Sequence, residues 1–355
     1  MRPSRQRLAA AAGAGAAAAG ALGVAAPAHA AAILPLVSRA PSGPIPAGFD
    51  RVAGAGAVAA QAAAVRRFVT PSGVTVRVRA GNAGAATVQS YVDFLDSLPH
   101  GSELGLLTLD IRAPAAVRAA CGGAQGVLAC YSPAANTMVV PGREIAASTG
   151  LSTAYVIAHE YGHHVARHRR NDPFSPLDYG PKYWASEQRV CAGVLARRLA
   201  PGSEGANYLA NPGEAWAESY AQLTFPRVRW RFSSLLAPDP ASRQAALRDV
   251  RAPWNGDRIR IFRSSLGPGA PSRRFTVILR LDGRFAAALS GPAAADFDLR
   301  IAAGGRVRGT TSAPGSTDAI AFRAACRSSA ADPVSVTVVR RRGTGPFTLR
   351  VRSPG

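Results

Sequence analysis

Near residue 260 the apolar pattern of this chain changes period, and that change restricts what it can fold into. Beyond it run RRFTVILRLDG, RFAAALSG, ADFDLRIAAGG, RVRGTTS, TDAIAFRAAC, VSVTVVRRRG and GPFTLRVRSP, seven short segments separated by Gly, Pro, Ser or Asp. Short strands at such spacing argue for a β-sandwich over residues 261–355. Upstream the periods are mixed. GVTVRVRA (73–80) alternates as a strand does, and AATVQSYVDFLDSL (85–98) sets Val88, Tyr91, Leu95 and Leu98 at helical spacing. GLLTLDIR (105–112) and NTMVVPG (136–142) read as further strands, Ser152 or Thr153 can cap a helix running to about 168, and another helix begins near Asn211. The expectation is an α+β domain over 66–236, a linker at 237–260 and an all-β sandwich after it.

The first thirty residues speak for export. MRPSRQR carries three arginines, an Ala-rich, mildly apolar stretch follows, and Ala28-His29-Ala30 offers small residues at the cleavage positions, so 1–30 reads as a secretory signal peptide. No later stretch is long and apolar enough to span a bilayer, which implies no stable membrane insertion after cleavage. Residues 31–65 mix Pro, Gly and Ala without a period and read as a linker. An exported chain meets oxidant, so its four cysteines can pair. Cys121 and Cys130 enclose GGAQGVLA and suit a local hairpin bridge; Cys191 and Cys326 either bridge the two domains or stay buried and free. None lies in a CxxC pair, so no metal is assigned to sulfur.

The net charge of +21 comes from 41 arginines and one lysine, Lys182, against 21 acids. Arginine is scattered rather than clustered with interleaved aromatics, which speaks against a nucleic-acid partner. Most of this charge reads as ordinary solvated surface, in a chain equally inflated in Ala, Gly and Pro; what remains favours a polyanionic cell envelope or acidic substrates.

Chemistry concentrates in IAHEYGHHVARH (157–168), which holds four of the six histidines. On a helix His159 and His163 project from one face, so two imidazoles can converge on one ion. Glu160 sits beside that ion, where a general base can take a proton from an attacking water. A catalytic zinc needs a third protein ligand and an open position. NPGEAWAESYA (211–221) offers Asn211 as a cap, Pro212 at the first helical position and Glu214. Glu214 can simply close a capping box with Asn211. Yet Glu214 and Glu218 share a face flanked by Ala215, Trp216, Ala217 and Ala221, and buried carboxylates want a cation or donors. Glu214 as ligand, with Glu218 accepting from a ligand histidine's outer N–H, explains both. Glu187 in WASEQRVC is the competing ligand, but it lacks an acid one turn later. Tyr208 either donates to a carbonyl oxygen as negative charge builds there or packs as an ordinary aromatic. Tyr155 and Tyr220 read as core, and His100, His164 and His168 as uncoordinated.

HEYGHH followed some fifty residues later by NPGEAWAESYA resembles the secreted gluzincin-type zinc metallopeptidases. LPHGSELG, ACYSP, MVVPG and DYGPKYWAS extend the similarity to exported actinobacterial proteins of that type, over about 73–236. The resemblance implies a zincin-like domain, Zn2+ held by His159, His163 and Glu214, Glu160 as base, Glu218 behind the ligands, and a peptide or protein substrate. No thermolysin-like active-site sequence surrounds Tyr208. The C-terminal segment, through DFDLRI and VSVTVVRRRGTGPFTLRV, is similar to the bacterial pre-peptidase C-terminal domain, an accessory module that implies no chemistry. The alternative function is a non-catalytic protein that binds a cell-envelope polymer through the sandwich and keeps a vestigial zinc site.

Overall fold

The computed structural model describes residues 50–52, 64–81, 83–145, 150–329 and 331–355; the expected signal peptide and most of the linker at 31–65 lie outside them. The N-terminal body is mixed α/β. Its strands are β1 (Asp50–Val52), β2 (Arg66–Val69), β3 (Thr75–Arg79), β4 (Thr108–Arg112), β5 (Ala129–Ser132) and β6 (Thr137–Pro141), in the sheet order β1-β5-β6-β4-β3-β2. β1 falls within the stretch read as a linker and pairs in parallel with β5. Every residue of β5 and β6 is buried, so both faces of these strands are covered, as in central strands packed under helices.

Helix α1 (Ala85–Ser97) buries Val88, Tyr91, Val92, Phe94 and Leu95 against this sheet, the face its spacing predicts. After α2 (Pro114–Ala120) the chain turns through Gly122, Gly123 and Gly126, whose φ values of 87°, 81° and 87° suit glycine, and reaches β5. Cys121 and Cys130 are bonded as expected, although the bridge ties a helix end to a strand rather than closing a hairpin.

Helix α3 (Thr153–Arg167) is capped by Ser152, whose hydroxyl accepts from the Tyr155 N–H at 3.2 Å. Every residue from Thr153 to Ala166 is buried, so α3 runs through the interior. After the short α4 (Pro176–Tyr179), α5 (Lys182–Glu187) and α6 (Val190–Leu195) comes α7 (Pro212–Thr224), with Asn211 accepting from the Gly213 N–H at 3.0 Å. α3 and α7 meet at Gly162. A Cβ there would stand 2.9 Å from Ala217 Cα, and the Gly162 carbonyl accepts from the Trp216 indole at 2.8 Å. Glycine at this crossing therefore sets how closely the two functional helices approach.

The stretch expected to be a bare linker at 237–260 contains α8 (Pro240–Arg251), started by a capping box between Asp239 and Ser242. Its Asp249 accepts from the Tyr183 and Trp184 N–H groups at 3.0 and 2.7 Å, which clamps α8 to the start of α5.

The C-terminal body is two antiparallel four-stranded sheets packed as a β-sandwich, β11-β10-β13-β8 and β12-β9-β14-β7. The seven expected strands appear as β8 (Ser272–Leu279), β9 (Gly283–Ser290), β10 (Asp296–Ala303), β11 (Arg306–Thr310), β12 (Thr317–Ala325), β13 (Asp332–Arg342) and β14 (Gly345–Ser353). An eighth, β7 (Arg258–Leu266), pairs with β14 at the sheet edge. It escaped the sequence reading because its alternation has almost no buried face: only Leu266 is buried, and Ile259 and Ile261 are 54% and 49% exposed. Phe285, Leu289, Phe297, Leu299, Val336 and Leu349 build the core between the sheets.

The junction of the two bodies is bonded as well as packed. Cys191 of α6 pairs with Cys326 after β12, which resolves the alternative left open above. Lys182 Nζ donates to the carbonyls of Asp172 and Asp282 at 2.6 and 2.8 Å, and the Trp254 indole donates to the Pro354 carbonyl at 2.7 Å. The disulfides are consistent with an extracellular protein, and no helix among the described residues is long and apolar enough to cross a membrane.

Candidate metal centre

Helical spacing puts His159 and His163 one turn apart on α3, and the crossing at Gly162 brings Glu214 from the first turn of α7 to face them. Glu214 Oε2 lies 3.3 Å from His159 Nε2 and 3.3 Å from His163 Nε2. The capping-box alternative does not form: Asn211 caps through Gly213, and its own N–H goes to the Tyr208 carbonyl. Glu214 is thereby left to the site.

The triad is wholly buried, and its chemistry calls for a cation. Two imidazole nitrogens and a carboxylate oxygen, each offering a lone pair, converge without solvent. Ligands 2.0 to 2.2 Å from a tetrahedral ion stand about 3.3 to 3.6 Å from one another, and Glu214 Oε2 keeps that spacing from both imidazole nitrogens. Glu214 Oε1 has no hydrogen-bond partner either, which is costly for a buried carboxylate. His159, His163 and Glu214 thus fit a divalent metal.

Glu218, one turn along α7, stands behind the triad. Its Oε2 accepts from His159 Nδ1 at 3.4 Å and from the Arg231 guanidinium at 2.9 Å. A proton on Nδ1 leaves the Nε2 lone pair directed at the metal position. Burial alone raises both glutamates, but the imidazoles outweigh it at Glu214, and His159 with Arg231 outweigh it at Glu218. Glu214 is held well below the usual carboxylate range, and Glu218 falls to about 2.

Glu160, next to His159, is fully buried in the same helix. The Tyr208 hydroxyl donates to Glu214 Oε2 at 3.3 Å while its ring packs on Phe232. The other candidates lie elsewhere. Glu187 is at the junction, its carboxylate 3.7 Å from Arg327. His164 is held between the Tyr131 hydroxyl and the Glu103 carbonyl, at 3.0 and 2.8 Å, and burial lowers it to about 4. His168 meets Asn136 and His100 meets Asp96. Arg231 is the site residue that sequence reasoning missed; flanking Trp230 and Phe232 were its one signal, and a chain rich in arginine hid it.

A recess of about 230 Å³ lies beside this arrangement, with Leu177, Asp178, Gly202, Glu204 and Glu214 in its lining. No protein-family model matches the chain and no curated protein matches it, so its chemistry has to be read from the triad itself.

Proposed function

We propose that this chain is a secreted zinc-dependent peptidase in which His159, His163 and Glu214 hold the ion and Glu160 moves the proton. One observation supports it above the rest: two imidazoles and a carboxylate, all buried, offer ligand atoms within 4.8 Å of one another, with the Glu160 carboxylate on the helix that carries both histidines. Zinc bound there supplies Lewis acidity, polarising a carbonyl and making water acidic enough to attack near neutral pH. Glu160 accepts the proton of the attacking water and returns it to the amine as the C–N bond breaks. Tyr208 donates to the carbonyl oxygen as negative charge grows there. Glu218, fixed by Arg231, keeps the His159 ring oriented. The substrate is a peptide or protein that enters by the recess above Glu214 once the flanking segments part.

The decisive experiment is metal analysis and digestion of a broad peptide library by the purified protein. Digestion is expected to stop on chelation, and Glu160→Gln is expected to retain zinc while losing roughly 10²- to 10⁴-fold in activity. Full activity in Glu160→Gln removes the mechanism.

Complete burial of His159, Glu160 and His163 favours one other reading, a non-catalytic protein whose sandwich holds a cell-envelope polymer while the metal is vestigial. Such a protein binds zinc, is retained on cell-wall material and digests nothing in the library.

A further inference from the structure

A cleft of about 740 Å³ lies where the two bodies meet. α8 contributes Arg248 and Arg251, and the sandwich contributes Arg258, Arg280 and Arg327. Arginine is roughly one residue in nine of the chain, yet it is five of the seventeen residues lining this cleft, and Glu187 is the only acidic side chain among them. The excess is local, not a sample of the general composition.

Nearby carboxylates are already committed. Glu187 and Asp282 face Arg327 at 3.7 and 3.9 Å, and Asp257 accepts from Arg352 at 2.7 Å. Arg248, Arg251, Arg258 and Arg280 have no carboxylate within ion-pair distance among the described residues. Arg248 is also pre-set, its guanidinium lying 3.8 Å from the centroid of the Tyr183 ring. Stacking fixes the plane of the fork and leaves its N–H edge for a ligand.

Several like charges around one concavity repel, and an anion placed among them removes that cost. A single phosphate can occupy one or two guanidinium forks. A chain of successive phosphates can occupy all of them, with bidentate, charge-assisted hydrogen bonds. We infer that this cleft binds a multiply charged phosphate chain through Arg248, Arg251, Arg258 and Arg280. The site needs both bodies, and it is independent of the metal centre and of any polymer held by the sandwich alone.

The test uses the full chain and short linear polyphosphate, titrated calorimetrically near physiological salt. R248Q/R280Q changes two exposed side chains and is expected to weaken binding by about tenfold or more, since each lost charged hydrogen bond is worth about 1.5 to 3 kcal/mol. R306Q/R308Q removes the same charge from the exposed strand β11 and is expected to leave binding unchanged. Equal weakening by both pairs, or by neither, overturns the site. Orthophosphate at matched phosphate concentration separates the sources: displacement of the chain assigns the cleft to free phosphate, and its failure assigns the cleft to a phosphate polymer.

Discussion

Glu218 in the metal centre and Asp249 at the junction are both almost wholly buried, and their carboxyls titrate in opposite directions. At Glu218 burial is outweighed by the His159 and Arg231 partners, and the group falls to about 2. At Asp249 burial dominates over two backbone N–H donors, and the group rises to about 7. Asp282, which accepts from the Arg327 backbone N–H within the sandwich, rises to about 6 because burial outweighs that bond and the more distant Arg327 and Lys182 charges. Depth does not separate them; the charge of the partners does. Cations and polarised rings keep a carboxylate ionised, whereas backbone dipoles hold one that can also exist neutral. The first arrangement suits a site that must present negative charge to an ion, and the second suits a joint.

If that contrast is right, the largest loss comes from unpairing charge in the metal centre. Glu218→Leu leaves the Arg231 guanidinium, only 10% exposed, without its carboxylate. The expected cost is about 3 to 5 kcal/mol in urea unfolding with chelator present. Zinc affinity should also fall by about 10- to 100-fold, because His159 loses its orienting partner. A loss under about 1 kcal/mol would mean that Arg231 finds solvent, and the two regions would no longer differ in kind.

Much of the metal centre was legible in the sequence because its geometry is local. The spacing of His159 and His163 needs only a helix, and Glu214 was preferred to Glu187 because an acid follows it one turn later. Gly162, between the two histidines, is where α3 and α7 cross, and a residue without a Cβ is the one local sign of that approach. The joint was opaque for the opposite reason. Its bonds link residues roughly a hundred positions apart, such as Lys182 with Asp282 and Trp254 with Pro354, and no local period encodes them. α8 was taken for a linker because RQAALRDVR is mostly polar, with few buried residues. The sandwich strands were found wherever one face is buried, and β7, which has almost none, was missed.

A smaller effect, opposite in sign at the two places, is expected with pH. Asp249 holds its proton more tightly in the folded protein than in the unfolded chain, where an aspartate titrates at about 3.9. Its contribution is therefore complete below about pH 4 and is lost as pH rises toward 7, by about 1.4 kcal/mol for each pH unit. Glu218 is the reverse: its contribution is complete above the ordinary carboxylate range and is lost as pH falls toward 2. Asp249→Asn should flatten the limb between pH 4 and 7 and leave the acid limb unchanged. Unfolding free energies of both proteins across that range check the sign, and parallel curves would place the titration elsewhere.

The smallest change is expected where removing a charge relieves as much as it forfeits. Lys182 is the only lysine of the chain and is fully buried, with its ammonium 4.5 Å from the centroid of the Trp254 ring and bonded to two carbonyls. Burial lowers it to about 8, so the folded state resists the charge that the unfolded chain carries freely. Lys182→Met keeps the length of the side chain, removes the desolvation penalty and leaves the Asp172 and Asp282 carbonyls without that donor. These terms oppose one another, and a net change within about 1 kcal/mol at pH 7 is expected, far below that of Glu218→Leu. Because its folded value is depressed, the wild type gains stability as pH rises from about 8 toward the ordinary lysine range, and the variant should not. A loss comparable to that of Glu218→Leu would make Lys182 an obligatory charge, and the joint would then follow the same electrostatic rule as the metal centre.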